Sequence, residues 1–312
     1  MKSGLADYAN MLNSAYRYFY AVAQEGSIRR AAERIHISAS ALSRQVRLLE
    51  SEFGQALIEH HGRRIMLTGA GNILREHIRQ LMLQDAAVKD AIRTSNGLQF
   101  GHVKVASGMG YVSDLADVVI PEFLERHPQM TYGIDIGNGD AVLRMVIDEV
   151  VDIGITMNPP QHHLVKVVHS ASAPLRVVLP PGHALSAAQS VSLDDLQQFA
   201  IGLLPAQHRI RQSIKVVEDA VGIKLRPVIE SNSYEILKSL VKNKLAITIL
   251  PEFAIKTGGW ESIFKLIPLQ HERLAQTTSA IIARQGRAIP ESVMEFVNSV
   301  IARHNAFSGS LS

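Results

Sequence analysis

The 312-residue chain has no cysteine, a single tryptophan and only 5% aromatic residues. Without cysteine there is no disulfide framework, no thiolate metal site, no cysteine nucleophile and no sensing by thiol oxidation. No stretch approaches the roughly 18 uninterrupted apolar residues that a membrane span requires. The opening MKSGLADYANMLNSAY lacks the apolar core and small-residue cleavage site of a secretory signal. A soluble protein of the cytoplasm, without membrane contact, is therefore expected. Short repeats, low-complexity tracts, a nucleophile motif, a glycine-rich phosphate loop and a paired-carboxylate signature are missing as well, so no catalytic residues and no cofactor are expected and the chain is read as not an enzyme. Two histidine pairs, His60-His61 and His162-His163, stand without a third ligand at metal spacing, and neighbouring side chains diverge on a strand, so no metal site is expected. Asp194-Asp195 reads as the start of a helix rather than a catalytic pair.

Charge is sparse but unevenly placed. The net charge is +3, with 32 basic and 29 acidic residues. Residues 1–95 carry 13 basic against 9 acidic side chains, and residues 96–312 carry 19 against 20. In the first third only Lys2 and Lys89 are lysines. The other bases are arginine, the side chain suited to bidentate contact with phosphate and guanine. A basic N-terminal module on a near-neutral body points to nucleic acid. A solvated basic face is the plainer alternative that charge alone leaves open.

Periodicity divides the chain further. Leu12, Tyr16, Phe19, Tyr20 and Ala23 form one helical stripe that ends at Gly26. Ser27 suits the N-cap of a short helix over 28–35, and Ser38 that of a third helix running to about Phe53. Leu42, Val46, Leu49 and Phe53 share one face of that third helix, and small residues and two arginines occupy the rest. Leu57–His60 and Arg64–Leu67 read as a hairpin with arginines at its tip. The sum is a winged helix-turn-helix. From Gly69 to Thr94, Leu74, Ile78, Leu81, Val88 and Ile92 make a heptad-like seam on one long helix, which suggests a dimer partner. Ser95-Asn96-Gly97 breaks it. From His102 onward strands alternate with helices, implying α/β layers with mostly parallel sheet. Pro159-Pro160 and Ser170–Pro174 read as turns or a crossover.

The run GSIRRAAERIHISASALSRQVRLLESEFGQALIEHHGRRIMLTGAG resembles the N-terminal signature of LysR-type transcriptional regulators, with matches at Gly26, Ser27, Ala31, Ala32, Ser38, Ala41, Leu42, Ser43, Arg44, Leu49, Glu50, Gly54, Leu57, Arg63, Leu67, Thr68, Ala70 and Gly71. The likeness continues through Ile120-Pro121-Glu122-Phe123, Val151-Asp152-Ile153-Gly154-Ile155, Gly182-His183-Ala184-Leu185 and Leu250-Pro251. Ala39 stands where the family usually has glutamine at the start of the recognition helix. Ile58 and His60 replace its usual wing residues, and Lys242-Asn243-Lys244-Leu245 replaces a glycine-containing turn. Losing the glutamine removes one bidentate adenine reader, because alanine can only touch a thymine methyl.

The resemblance implies an α/β protein in three parts: a mostly helical winged helix-turn-helix over 1–68, a linker and dimerisation helix with hinge over 69–96, and a two-lobed effector domain like the periplasmic binding proteins over 97–312. The first lobe would hold about 97–170 plus 271–312, the second about 171–270. It also implies double-stranded operator DNA and a small-molecule effector as partners, RNA polymerase where the regulator activates, and a homodimer or homotetramer. Ser27, Ser38, Ala39, Ser40, Ser43 and Arg44 would face DNA, Arg44 reading a base edge. Arg30 and Arg47 would touch phosphate, and Arg63 and Arg64 would act from the wing. Candidates for the effector cleft are the strand ends Ser107, Gly108, Met109 and Tyr111, Thr156 and Asn158, Leu204 and Pro205, and Ser231 and Asn232. Strand ends followed by helix N-termini favour a small anionic metabolite. The competing reading is a small-molecule receptor or enzyme whose N-terminal helices only oligomerise it.

Overall fold

The computed structural model describes residues 14–61, 64–94, 101–256 and 258–308. The chain divides into two compact units that meet in sequence between Arg93 and Thr94.

The first unit contains helices α1 (Ser14–Glu25), α2 (Ile28–Arg34) and α3 (Ala39–Phe53), the strands β1 (Ile58–His61) and β2 (Arg64–Leu67), and the 26-residue helix α4 (Gly69–Thr94). Local chemistry sets the boundaries. Ser27 and Ser38 cap α2 and α3 by accepting from the N–H groups of Arg30 and Ala41, and α3 ends on Gly54 in the left-handed conformation that glycine adopts without strain. Glu50, near the end of α3, accepts from the Leu57 and Ile58 N–H groups at 2.9 and 3.2 Å, which pins the antiparallel wing to the helix. Ala21, Val22, Ala31, Ala32, Leu42 and Val46 form one apolar cluster, and Phe19, Leu49, Leu57, Leu74 and Ile78 form another.

That second cluster corrects the reading of the long helix. Leu74 and Ile78, the first two residues of the seam, are buried against their own unit. Val88 is exposed, and the Ile92 side chain lies outside the described residues. Any partner-facing seam is therefore confined to the later turns of α4. The proposed hinge at Ser95-Asn96-Gly97 lies outside the described residues too.

The second unit holds two five-stranded sheets. The first is ordered β4-β3-β5-β12-β6, from β3 (Gly101–Gly108), β4 (Met130–Gly137), β5 (Ile153–Met157), β6 (Val165–Ser172) and β12 (Thr278–Arg284). The second is ordered β11-β7-β10-β8-β9, from β7 (Leu175–Leu179), β8 (Ile201–Leu203), β9 (Ile229–Glu230), β10 (Ile247–Pro251) and β11 (Lys265–Pro268). A helical run from Met109 ends in α5 (Ile120–Arg126), and α6 (Gly139–Ile147) packs beside the first sheet. The remaining helices are α7 (Arg209–Val221), α8 (Tyr234–Lys242), α9 (Phe253–Lys256), α10 (Glu272–Ala275) and α11 (Glu291–Arg303).

The sheets are mixed rather than mostly parallel. Strands β3, β4 and β5 pair in parallel, as do β8, β9 and β10, but β12 joins the first sheet antiparallel and β7 and β11 join the second antiparallel. The antiparallel members are the strands on either side of the two passages between lobes. The stretch read as a turn from Ser170 lies mostly within β6, and the crossover is confined to Ala173 and Pro174. There the two passages lie side by side: the Ala173 N–H donates to the Thr277 carbonyl at 2.8 Å, and the Thr277 hydroxyl donates to the Ala173 carbonyl at 2.5 Å. Asp194-Asp195 forms a turn, not a helix start. The Asp195 carboxylate accepts from the Ser192 N–H and hydroxyl, which hold its carboxyl below the usual range.

Candidate functional site

Helix α3 has two unlike faces. Leu42, Val46 and Leu49 are fully buried, and the outer face presents Ser38, Ala39, Ser40, Arg44 and Arg47 to solvent, with Ser43 half-buried beside them. Apolar residues at four- and three-residue spacing place the arginines opposite the core. Arg44 has no hydrogen bond or ion pair among the described residues. Arg47 donates to the Ser43 hydroxyl at 3.2 Å, and Arg30 reaches the Glu25 carbonyl at 2.5 Å. Arg29 and Arg34 are committed to Glu33 and Glu25. Ser27 is used as a cap and is half-buried. Arg63 and the Arg64 side chain lie outside the described residues, although the Arg64 backbone opens β2.

The second unit contains a cleft between its two sheets. Gly108, Met109, Gly110, Tyr111, Gly137, Gly139, Thr156 and Met157 line it from the first lobe. His208, Arg209 and Tyr234 line it from the second, with Pro251 and Phe253 beside them. The space enclosed is about 20 Å³, close to the volume of one water. Glycines give the cleft its narrowness. A Cβ on Gly110 would lie 2.7 Å from the Tyr234 ring, and one on Gly139 would lie 2.6 Å from Arg209 Nε. Burial pushes the Tyr111 and Tyr234 phenols far up, so both are neutral hydroxyls, and Tyr111 donates to Ser279 at 3.0 Å.

Four of the ten strand-end candidates line this cleft: Gly108, Met109, Tyr111 and Thr156. Ser107 is buried and donates to the Gly108 carbonyl. The Asn158 side chain accepts from Thr278, and its own carbonyl faces Arg209. Leu204 is core, Pro205 lies outside the lining, Ser231 accepts from the Ser233 N–H, and Asn232 is exposed. Sequence reasoning missed Arg209, Tyr234 and Phe253. The usable signal was the capping residue before each of the first two, His208 and Ser233, which marks where a helix start meets the cleft.

Five histidines act as local hydrogen-bond acceptors. In His162, His183, His208, His271 and His304 the Nδ1 atom accepts the N–H of the residue two positions on. Burial lowers His208 to about 4, and burial also lowers His183 and His304. His304 donates from Nε2 to the Tyr111 carbonyl at 3.1 Å. Among the described residues no group of three or more histidines and carboxylates is placed to hold a metal ion, and no helix is long and apolar enough to cross a membrane.

Comparison with known proteins agrees with this division. The family model for the bacterial regulatory helix-turn-helix protein, lysR family, matches residues 14–72, and the model for the LysR substrate binding domain matches residues 96–304. A RuBisCO operon transcriptional regulator of Allochromatium vinosum is 27% identical over 234 residues, covering 75% of this chain and 77% of that one. The HTH-type transcriptional activator CmpR of Synechocystis is 23% identical over 296 residues, covering 94% and 96%. Among solved structures, a full-length OxyR variant from Pseudomonas aeruginosa matches with a TM-score of 0.68 at 22% identity, covering 95% of this chain and 96% of that one.

Proposed function

The chain belongs to the LysR family of transcriptional regulators, and from that premise we propose how its two units divide the work. Helix α3 enters the major groove of double-stranded operator DNA. Ser38, Ala39, Ser40 and Ser43 allow close approach, Arg44 contacts a base edge, and Ser27, Arg30 and Arg47 lie along the phosphates. Arg63 and Arg64 act from the wing. A small effector binds in the cleft between the lobes and alters how the protein holds its operator. The working form is a homodimer or homotetramer in the cytoplasm that meets RNA polymerase where it activates, and the chain catalyses no reaction. One observation carries the DNA assignment: Arg44 is exposed and unpaired among the described residues, on a helix that buries Leu42, Val46 and Leu49 on its opposite face and leaves the last residue of that stripe, Phe53, exposed.

The test is selection of a duplex from a random pool by the full-length protein, followed by titration at several salt concentrations. Phosphate neutralisation predicts a log–log salt slope of about −4 or steeper. A flat salt dependence, or failure to enrich any sequence, would favour a receptor whose N-terminal helices only oligomerise it.

A further inference from the structure

Among the described residues lining the cleft, Arg209 carries the full charge, since burial keeps His208 neutral. Arg209 begins α7 in the second lobe and reaches across to the first. Its Nη2 contacts Asp140 on the first turn of α6, and its Nη1 lies 3.5 Å from the Asn158 carbonyl. Its Nε is buried and has no hydrogen-bond partner among the described residues. The guanidinium lies across Gly139, at the N-terminal end of a nine-residue helix, where backbone dipoles add partial positive charge.

A carboxylate binds guanidinium best side-on, with two parallel bonds that use Nε and one Nη together. Asp140 is tethered to its helix and contacts Nη2 alone. A free carboxylate has no such tether. We propose that the cleft takes a small organic carboxylate that docks side-on on Arg209, and that Asp140 holds the Nη2 half of this position in the closed state as an internal stand-in. The proposal rests on the reading of the cleft as the effector site. It also supplies a signal. The Arg209–Asp140 pair ties the two lobes, and a space of about 20 Å³ admits an organic ligand only if the lobes part. A ligand that takes Arg209 from Asp140 therefore exchanges one link between the lobes for another. The rings of Tyr111, Tyr234 and Phe253 line the cleft but are buried, and they meet the apolar body of such a ligand only once the lobes part.

The first test uses acetate, which reproduces the group that Asp140→Ala removes. In full-length Asp140→Ala, sodium acetate at about ten times its Kd should raise the sensor unit's melting temperature by roughly 3–6 °C, with ionic strength matched by chloride. Acetamide should not, and the double variant Asp140→Ala/Arg209→Gln should show no acetate response. An unresponsive Asp140→Ala, an equal response to acetamide, or an equal response in the double variant overturns the proposal.

The second test screens small carboxylates against their neutral amides. Asp140→Asn, which removes the competitor, should tighten the best carboxylate about tenfold, and Arg209→Gln should abolish its binding. A neutral or cationic compound that binds instead and is blocked by Met109→Trp, which fills the cleft, sinks the carboxylate proposal while the cleft reading stands. Ligands indifferent to both Met109→Trp and Arg209→Gln overturn the cleft reading with it.

Discussion

The surfaces that define the two units are assembled in opposite ways. The outward face of α3 comes from a single segment, Ser38 to Arg47, and its key arginine is left unpaired among the described residues. The cleft draws on positions from Gly108 to Phe253, and its arginine is already engaged across the lobes. An unpaired surface cation is ready for a polyanion and needs no rearrangement. A cation held by an internal carboxylate responds only to a ligand that competes for it. The first arrangement suits direct contact with DNA, and the second suits a switch.

Gly71 offers the harshest way to break that comparison, because it should disable one unit and spare the other. A Cβ there would lie 2.0 Å from the Leu57 carbonyl oxygen, a clash with backbone that no rotamer relieves. Thr68 locks the same junction, donating to the Ala56 carbonyl at 2.7 Å and accepting from the Gly71 N–H at 3.0 Å. Gly71→Ala should destabilise the first unit by about 3 kcal/mol or more. In calorimetry its transition should fall by more than about 10 °C, with loss of DNA binding, while the second unit melts unchanged. An unmoved first transition would refute the close approach of α4 to the wing.

Arg44 sharpens the comparison at a single side chain. Arg44→Ala should weaken the selected duplex by about 1–3 kcal/mol, roughly 5- to 150-fold, and leave scrambled duplex within about threefold. Equal losses on both would move Arg44 to the phosphate backbone. The fold of the first unit should be unaffected, because the side chain is exposed.

The cleft should differ from the first unit in its response to acid. His208 is held at about 4 by burial, below the ordinary 6.5, and its Nδ1 caps α7 by accepting from Ile210. A group depressed in the folded state contributes stability above its unfolded pKa, and loses it as pH falls through the folded value. The second unit should therefore melt several degrees lower near pH 4 than near pH 7, mostly between 6.5 and 4. His208→Asn retains an N-cap acceptor without titrating and should flatten this dependence. An unchanged slope would place the acid sensitivity at other buried groups such as His304, which burial lowers as well.

The same contrast explains what was legible in the sequence. Ser27, Ser38 and Gly54 act on residues within a few positions, so caps and periodicity located the helices of the head. In the cleft, the strand-end rule found Gly108, Met109, Tyr111 and Thr156, because each lies at, or within three residues of, the end of its own strand. It failed for Ser107 and Asn158 in the first lobe, and for Leu204, Pro205, Ser231 and Asn232 in the second. In the second lobe the cleft is met by helix starts several residues further on, at Arg209 and Tyr234. That offset follows from how the lobes meet, through contacts distant in sequence such as Arg209 with Asp140, 69 positions away. Leu74 and Ile78 carried a period that fits a partner helix and a domain core equally, and only packing distinguishes the two.

The smallest effect lies where the chain departs from the family's turn before β10. Helix α8 ends at Lys242 with Asn243 as its C-cap, and Lys244 follows with φ +58°, donating to the Val241 carbonyl at 2.9 Å while Leu245 donates to the Leu240 carbonyl at 3.0 Å. The backbone thus makes the left-handed turn that glycine usually supplies after a helix, with lysine bearing the steric cost of its Cβ. Lys244 is exposed, so replacing it removes little packing. Relief of the left-handed strain exceeds the extra chain entropy of glycine by about 0.5–1 kcal/mol. Lys244→Gly should raise the melting temperature of the second unit by about 1–4 °C and leave the first unit and DNA binding unchanged. A decrease would mean that the lysine side chain contributes more to this turn than its backbone conformation costs.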